Sequence, residues 1–517
     1  MADPVETAGY RTDVRYLRTF SADLSPASLR LVAALNGFAP PPADDFDYCE
    51  LGCGNGDTTA TLAACYPSAR FLGVDMNAEH IAFAQGLARQ GGLSNVGFLQ
   101  ADFEALAQQD LPGFDYVTAH GLTSWIAPEK RRRMIEIAAQ LLHPGGVLFV
   151  SYNAMPGWAA VEPLRRLMLD ASPDPGEPTL TRARRGVALA RRLAEGGAEY
   201  FAHNPASGAM LETMREMGLP YVVHEYFQPS WHPLYFADLS REMAGAGLHF
   251  IGQLPLHLNY RDLAVPQALM GLFGEVKDRL AFESLKDFAL NELFRRDVYI
   301  KGEVGRSAEH TDRYLDETPF GTLMDRSRIK RVATFRHRSI AYDGPVFDAL
   351  IDALSAGAAT AAELAELRAL ENVGAATIRQ KLLELLLGEQ IVPMRRTGEA
   401  LPFPGQGPFS VPIDHNRVIL KQPLAEGTPT VLASDVAGTG LVVSMLEALC
   451  LRIVTEVEPA DRPAWIRAFI ARRPLRLHAG GRAIEQPEEQ AALIEKELAD
   501  VLQRRVPKLI ELGVLER

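Results

Sequence analysis

The chain has 517 residues, 47% of them hydrophobic and 23% charged, and its formal net charge is −12. This length predicts about three domains, and the composition is that of a soluble globular protein. The acidic balance disfavours a protein that binds nucleic acid over its whole surface, because such a protein would show a basic face.

Targeting and metal signals are scarce in the sequence. The first residues, MADPVETAGYR, contain no basic leader with an apolar core, and no apolar run of about 18 residues follows. We therefore expect a cytoplasmic protein that does not insert into a membrane. The four cysteines include Cys49 and Cys53, but no second Cys/His pair stands at metal-ligand spacing. We expect buried thiols and no metal site.

Short apolar strands alternate with helices in the first third of the chain. The predicted strands span 46–51, 69–74, 96–101, 115–119 and 146–152. The predicted helices between them span 58–65, 79–91 and 128–142. This alternation predicts an α/β fold, a doubly wound Rossmann-like sheet with helices on both faces. We assign residues 1–158 to this core.

The middle of the chain divides into three segments. Residues 159–219 are predicted to be a helical insertion, either a lid or a dimer arm. Residues 220–305 contain a helix that runs into Gly245-Ala246-Gly247 and then a strand, so we expect them to complete the core sheet. The polar, basic stretch 306–344 is predicted to be a linker.

The last segment, residues 345–517, is predicted to be a mostly helical domain that binds substrate or a partner. It begins with three helices and a strand at 390–396, which suggest a winged-helix-like module. The third of these helices offers Arg379 and Lys381, so a nucleic-acid-binding regulator is one alternative for this part of the chain.

A glycine-rich loop follows the first predicted strand, and its residues run from Glu50 to Gly56 in the order Glu-Leu-Gly-Cys-Gly-Asn-Gly. Glycines let the backbone turn sharply and approach a ligand closely, and the next helix points its N-terminal amides at that ligand. The Glu50 carboxylate can orient backbone amides and receive an ammonium group through water. The loop alone could equally serve a dinucleotide.

Two acidic residues at the ends of the next strands narrow the choice of ligand for this loop. Asp75 ends the second strand, 25 residues after Glu50, where a carboxylate can accept both ribose hydroxyls. Asp102 follows the third strand and can accept from an adenine amine, while Phe103 can line the face of that ring. The turn Pro144-Gly145-Gly146 then leads into the fifth strand.

In this order, residues 48–153 resemble the class I S-adenosylmethionine-dependent methyltransferases. The resemblance implies S-adenosylmethionine as cofactor, and an NAD-binding domain or a cofactor-less relative are the alternatives. It implies a cofactor site made of the loop, the strand ends and the carbonyl near His120, which comprise Glu50, Gly52, Cys53, Gly54, Gly56, Asp75, Met76, Asp102, Phe103 and His120. In such a site the glycines wrap the methionine part, Asp75 and Met76 hold ribose and adenine, and Asp102 and Phe103 line the adenine edge.

The sequence indicates the methyl acceptor less closely than it indicates the cofactor. The Asn/Asp-Pro-Pro-Tyr/Phe motif of base and glutamine methylation is absent after Asp115, which disfavours those acceptors. An amine acceptor needs an aligned, desolvated and neutral nitrogen, which aromatic walls and hydroxyl or carbonyl groups can provide. We therefore expect the catalytic residues among the polar and aromatic side chains after the fourth and fifth strands: His120, Trp125, Tyr152, Asn153 and Trp158. Trp125 could equally be core, and His120 could be structural.

Motifs outside the cofactor core carry a closer resemblance. Tyr152-Asn153 with Pro156-Gly157-Trp158, the stretch 224–236 and Phe294-Arg295-Arg296-Asp297 are similar to bacterial methyltransferases with a methyltransferase regulatory domain. That group includes rickettsial lysine methyltransferases that modify an outer-membrane protein. The resemblance implies methyl transfer to lysine side chains of a protein partner, a substrate-engaging C-terminal region and an ability to form homodimers. A small-molecule or peptide natural-product N-methyltransferase is the main alternative.

Overall fold

The computed structural model describes residues 6–7, 10–11, 18–174, 176–398, 405–424, 429–472, 477–479 and 482–517. Residues 6–7 and 10–11 pair as a short antiparallel hairpin. Within the described ranges, no helix has the length and apolar character needed to cross a bilayer. Cys49, Cys53, Cys65 and Cys450 are buried free thiols.

A seven-stranded sheet forms the centre of the fold. Its strands, β1 to β7, span Asp47–Leu51, Arg70–Asp75, Val96–Gln100, Phe114–Ala119, Leu142–Asn153, Leu248–Leu254 and Phe294–Lys301. Their order across the sheet is β3-β2-β1-β4-β5-β7-β6. The first five are parallel, whereas β7 runs antiparallel to both β5 and β6. The expected doubly wound α/β sheet is confirmed.

Strand β1 shows why the sheet lies between two layers. All five of its residues are buried, as expected for a central parallel strand covered on both faces. Successive side chains point to opposite faces, so Tyr48 enters one apolar cluster while Cys49 and Leu51 enter another.

Helices fill the connections between the strands. Those of the core are α1 (Pro26–Leu35), α2 (Asp57–Cys65), α3 (Ala78–Gln90), α4 (Phe103–Leu106) and α5 (Pro128–Leu141). After β5 come α6 (Glu162–Asp170), α7 (Thr179–Glu195), α8 (Glu199–His203) and α9 (Pro205–Tyr226). Around β6 and before β7 lie α10 (Phe236–Gly245), α11 (Arg261–Ala264), α12 (Met270–Glu275) and α13 (Arg279–Leu290). Helix α9 is interrupted at Gly218, whose φ is 82°, next to Pro220 in the following turn.

The stretch 306–344 differs from the linker expected there. It folds into α14 (Ala308–Glu317), β8 (Phe320–Gly321) and the hairpin of β9 (Val332–Thr334) and β10 (Ser339–Ala341). Tyr314, Leu315 and Phe320 are buried in the same apolar cluster as β1. These apolar side chains anchor the stretch to the core. The polar and basic composition of the stretch did not indicate this packing.

The described C-terminal region is mixed, which corrects the expectation of a mostly helical domain. Its helices are α15 (Pro345–Ala356), α16 (Ala361–Ala365), α17 (Ala375–Leu387), α18 (Asp414–Lys421), α19 (Met445–Glu456), α20 (Arg462–Arg472), α21 (Pro487–Asp500) and α22 (Val506–Glu511). Its strands are β11 (Val392–Pro393), β12 (Thr430–Ser434), β13 (Thr439–Val443), β14 (Leu477–Ala479) and β15 (Arg482–Ile484). The strand expected at 390–396 is reduced to β11, which pairs with β8, and Pro393 has no N–H to extend a ladder.

The cations proposed for nucleic-acid binding on α17 are both in ion pairs. Arg379 donates to Asp316 at 2.8 Å, and Lys381 donates to Glu384 at 2.9 Å. The α17 surface is therefore locally neutralised at these two positions.

The C-terminal region packs directly on the cofactor half of the core. One apolar cluster joins Ala60 of α2 and Ala84 of α3 to Leu432 of β12 and Leu441 of β13. At Gly440 the backbone lies so close that an added Cβ would stand 2.7 Å from the ring of Phe20 and 2.9 Å from Thr61.

Candidate active site

A cavity of about 910 Å³ opens at the carboxyl ends of β1, β2, β3 and β4. This is the edge at which open α/β sheets bind their ligands, and the size suits a nucleoside cofactor with room beside it. The structure brings together on this wall most of the residues expected to bind the cofactor: Glu50, Gly52, Cys53, Gly54, Asp75, Met76, Asp102, Phe103 and His120.

The loop after β1 is held in an unusual backbone conformation. Gly52 and Gly54 have φ values of 72° and 52°, in the left-handed region that favours glycine. A Cβ on Gly52 would stand 2.8 Å from the Leu122 side chain. The Gly54 N–H donates to the Asp75 carboxylate at 2.9 Å, which ties the loop to the end of β2.

Gly56 has a different role from the one expected. It is the N-cap of α2 with a φ of 72°, and it is not among the residues that line the cavity. A Cβ at this position would stand 2.6 Å from Ala84 and 2.7 Å from Phe98. Gly56 therefore allows α2 to pack against α3 and β3, and does not contact the cofactor space.

Glu50 is a buried carboxyl group at the start of the loop. The Thr59 hydroxyl donates to it, and burial raises its pKa to about 8. The group is therefore largely protonated at neutral pH when no cation lies beside it. An ammonium group in the cavity would favour its ionised form.

Asp75 and Asp102 each use part of their hydrogen-bonding capacity to fix the backbone. Asp75 accepts from the N–H of Gly54 and, at 2.8 Å, from the N–H of Asn77. Asp102 caps α4 by accepting from the Ala105 N–H at 2.9 Å. A carboxylate offers about four acceptor sites, so both residues keep capacity for ligand hydroxyl or amine donors.

Asn55 gives an independent indication that a polar ligand belongs here. Its side chain lines the cavity, and its buried Nδ2 has no hydrogen-bond partner among the described residues. A buried amide donor is costly to leave unpaired, so an acceptor such as an amino-acid carboxylate fits at this point. The cavity wall therefore combines a carboxyl group that can bind an ammonium, hydrogen-bond donors that can bind a carboxylate, and carboxylates at the ends of strands that can bind a ribose.

His120 lies at the other end of the cavity, after β4. Burial lowers its pKa, so its imidazole is neutral at physiological pH. Its Nδ1 is 2.8 Å from the Ser151 hydroxyl, which also accepts from the Gly121 N–H at 3.0 Å. The ring of Phe294 stands edge-on to it, with centroids 6.4 Å apart.

Four of the expected catalytic residues do not line this cavity. Tyr152 is fully buried on the opposite face of the sheet, because side chains alternate along β5 and Ser151 faces His120. Trp125 and Trp158 belong to an apolar cluster with the helices that follow β5. Asn153 donates from its side chain to Glu225 at 2.7 Å, and burial raises the pKa of Glu225 to about 7. The structure therefore corrects the expected placement of these four residues, and of the five catalytic candidates only His120 faces the cavity.

The structure adds wall residues that local sequence patterns did not indicate. Phe20 and Asp23 come from the segment before α1, and Phe294 and Arg296 come from β7. Phe294 and Arg296 belong to a motif noted in the sequence, although nothing local indicated that they face the cofactor. The cavity is thus closed by pieces of chain far apart in sequence.

Comparison with known proteins agrees with this geometry. Sequence models described as a methyltransferase domain and as a predicted methyltransferase regulatory domain match residues 43–171 and 219–301. An uncharacterised protein of Synechocystis sp. is 30% identical over 509 residues, which cover 98% of this chain and 99% of that protein. The trans-aconitate 2-methyltransferase of Azoarcus sp. is 33% identical over 230 residues, covering 41% of this chain and 83% of that enzyme.

Among solved structures, PKMT2 from Rickettsia typhi in complex with AdoHcy has the same fold. It superposes with a TM-score of 0.73 and 18% identity, and the match covers 97% of this chain and 99% of that chain. The likeness therefore includes the C-terminal region as well as the sheet.

Proposed function

This chain belongs to the S-adenosylmethionine-dependent methyltransferases that carry a methyltransferase regulatory domain, and we propose that it methylates lysine side chains of a protein substrate. The full-length structural neighbour from Rickettsia typhi is a protein-lysine methyltransferase, which supports this choice of acceptor. The acidic net charge of −12 also favours encounter with a lysine-rich segment, since charge complementarity mainly raises the association rate.

The observation that carries the proposal is the chemistry of the cavity end around His120. S-adenosylmethionine supplies an electrophilic methyl group on a sulfonium. The acceptor nitrogen must present a free lone pair, so a lysine ammonium must first lose a proton. The half-buried His120 imidazole is neutral and can take that proton at Nε2 when its Nδ1–H is donated to Ser151.

The surroundings of His120 also suit an amine. The Phe294 ring supplies an apolar, aromatic wall, and aromatic faces favour cationic groups. The Ser151 hydroxyl fixes the orientation of the imidazole at 2.8 Å. In the proposed reaction the nitrogen–carbon bond forms as the carbon–sulfur bond breaks, and the electron pair of that bond stays on sulfur.

The outer regions are proposed to engage the protein substrate. The hairpin of β12 and β13 in the C-terminal region packs beside Phe20, which lines the cavity, so this hairpin lies close enough to contact a polypeptide bound there. The helical segment 159–219 covers Trp125 and Trp158 and is proposed as a lid or a dimer arm.

The proposal is tested by incubating the full-length protein with methyl-labelled S-adenosylmethionine and bacterial lysate proteins. We expect label on lysine residues, identified by mass spectrometry of digested proteins. Asp75→Asn serves as the cofactor-site control, and Asp110→Asn, at an exposed position, serves as its matched surface control. Label found only in small molecules, with no methyl-lysine in protein, would exclude the lysine assignment.

A second candidate is methylation of a small carboxylic acid. The Azoarcus relative carries the name of such an enzyme, and Arg296 places a guanidinium on the cavity wall that could bind a carboxylate. The same labelling experiment separates the two, because the acid candidate gives a labelled methyl ester that mild base removes, whereas methyl-lysine resists that treatment.

A further inference from the structure

An ion pair crosses the wall of the cavity at the end near His120. Asp23 lies on the 3-10 turn Ala22–Leu24, and Arg296 lies on β7, 273 residues later in the chain. The Arg296 guanidinium donates to the Asp23 carboxylate, and both side chains line the cavity. The pair therefore joins the segment before α1 to the regulatory domain across the active site.

The order of the strands places this ion pair at the opposite end of the cavity from the residues expected to bind ribose and adenine. Along the carboxyl edge the strands run β3-β2-β1-β4-β5-β7, and Phe294 at the start of β7 pairs with Asn153 at the end of β5. Asp102 follows β3, at the far side of this edge. Asp23 therefore provides a carboxylate at the end of the cavity near His120, where the methyl acceptor is proposed to bind. It is separate from the cofactor-site carboxylates Glu50, Asp75 and Asp102.

The pair also lies close to the groups proposed to handle the acceptor. The Asp23 carboxylate favours the charged form of His120 and Arg296 opposes it, so both charges are within electrostatic range of the imidazole. Phe294, two residues before Arg296, stands edge-on to the same ring. An acceptor bound beside His120 therefore lies within electrostatic range of the Asp23–Arg296 pair.

This ion pair can exchange partners readily. The Arg296 and Asp23 side chains are 30% and 26% exposed, and solvent-accessible pairs of this kind contribute little to stability. The Asp23 carboxylate has acceptor capacity beyond its contact with one guanidinium, and an ammonium brings three donors. A cationic ligand can therefore share or replace Arg296 at small cost.

We propose that Asp23 is the residue that selects a cationic methyl acceptor, and that Arg296 is the cation that occupies the Asp23 carboxylate until the acceptor binds. The incoming lysine ammonium binds Asp23 and is held beside His120. This inference rests on the proposed lysine-directed function. A purely structural ion pair makes a different prediction, because loss of either partner would then have the same effect.

The test compares Asp23→Asn with Arg296→Gln in the full-length protein, using methyl-labelled S-adenosylmethionine and poly-L-lysine as the acceptor probe. Asp23→Asn is expected to raise the KM for poly-L-lysine by about tenfold or more, because a hydrogen bond to a charged group is lost. Arg296→Gln is expected to leave that KM unchanged or to lower it, since the carboxylate loses its competing cation. Asp23→Glu, which keeps the charge, is expected to stay near the wild-type KM.

Calorimetric binding of AdoHcy separates this effect from damage to the cofactor site, and we expect all three variants to bind it as the wild type does. An equal rise in KM for Asp23→Asn and Arg296→Gln, or no rise for Asp23→Asn, overturns the inference while lysine methylation by the wild type stands. A wild-type protein that labels lysine neither in poly-L-lysine nor in lysate proteins overturns the proposed function, and the role of Asp23 falls with it.

Discussion

The hydroxyl of Tyr152 donates a hydrogen bond of 2.7 Å to the carboxylate of Asp297, and both side chains are fully buried. Asp297 also accepts from Arg295, whose guanidinium donates further to Asp287 and Glu283. Tyr152 is therefore part of a buried ionic network that joins β5 to β7 and α13. Its role is to attach the regulatory domain to the sheet on the face opposite the cavity.

This placement predicts a structural phenotype for Tyr152→Phe. Loss of a hydrogen bond to a charged acceptor should lower the free energy of unfolding by about 2 kcal/mol. Affinity for AdoHcy should be unchanged, because the side chain does not line the cavity. Urea unfolding and calorimetry measure the two quantities. Tyr299→Phe, which loses a longer 3.3 Å contact with Ser240, is the matched control and should cost less. Weaker AdoHcy binding with unaltered stability would restore a role for Tyr152 in the site.

Gly56→Ala should destabilise the fold through packing and backbone strain. The φ of 72° is unfavourable for alanine, and the added Cβ would stand 2.6 Å from Ala84. We expect a loss of about 2 kcal/mol or more in the free energy of unfolding. Gly86→Ala is the control, because Gly86 lies in α3 and the new Cβ would meet no atom within 4 Å beyond its chain neighbours and the local helix backbone, so it should stabilise by about 0.5–1 kcal/mol. Equal effects of the two substitutions on unfolding would contradict the packing role of Gly56.

The sequence predicts the parts of the site that follow from chain order. Asp75 and Asp102 come directly after strands, and the carboxyl ends of parallel strands meet at one edge, so their convergence could be expected. The face of the sheet on which Tyr152 lies could not be predicted, because a shift of one residue in the start of β5 reverses the direction of every side chain along the strand. The contact between Asp23 and Arg296 could not be predicted either, since it depends on how β7 and the segment before α1 meet across the sheet.

Asp75 is expected to contribute directly to cofactor affinity. Asp75→Ala removes the acceptor for the N–H groups of Gly54 and Asn77 and for the ribose hydroxyls, so AdoHcy binding should weaken by about 1–3 kcal/mol. Asp75→Asn keeps one acceptor oxygen and should lose less. Calorimetric titration measures both, with exposed Asp110→Ala as the control. Wild-type affinity in Asp75→Ala would exclude the ribose role.

Glu50 should make cofactor binding depend on pH. Its pKa of about 8 in the free site means that the carboxyl group is mostly protonated at neutral pH, whereas a bound ammonium favours the ionised form. The pKa is then lower in the complex than in the free protein, so binding releases a proton and affinity increases as pH rises. We expect AdoHcy affinity to increase by up to about tenfold per pH unit below about pH 8. The increase should end near that pH, because Glu50 is then already ionised in the free protein and binding releases no further proton from it.

Calorimetry in two buffers of different ionisation enthalpy measures the released proton directly. At about pH 7 the wild type should release close to one proton per AdoHcy bound. Glu50→Gln has nearly the same shape but cannot ionise, so it should bind more weakly and without the proton release assigned to Glu50. The Thr59 hydroxyl donates to this carboxyl group and stabilises its charged form, so Thr59→Val should raise the pKa of Glu50 further. The rise in affinity should then extend to higher pH in Thr59→Val. Identical proton release in the wild type and Glu50→Gln would show that Glu50 is not the group that receives the ammonium.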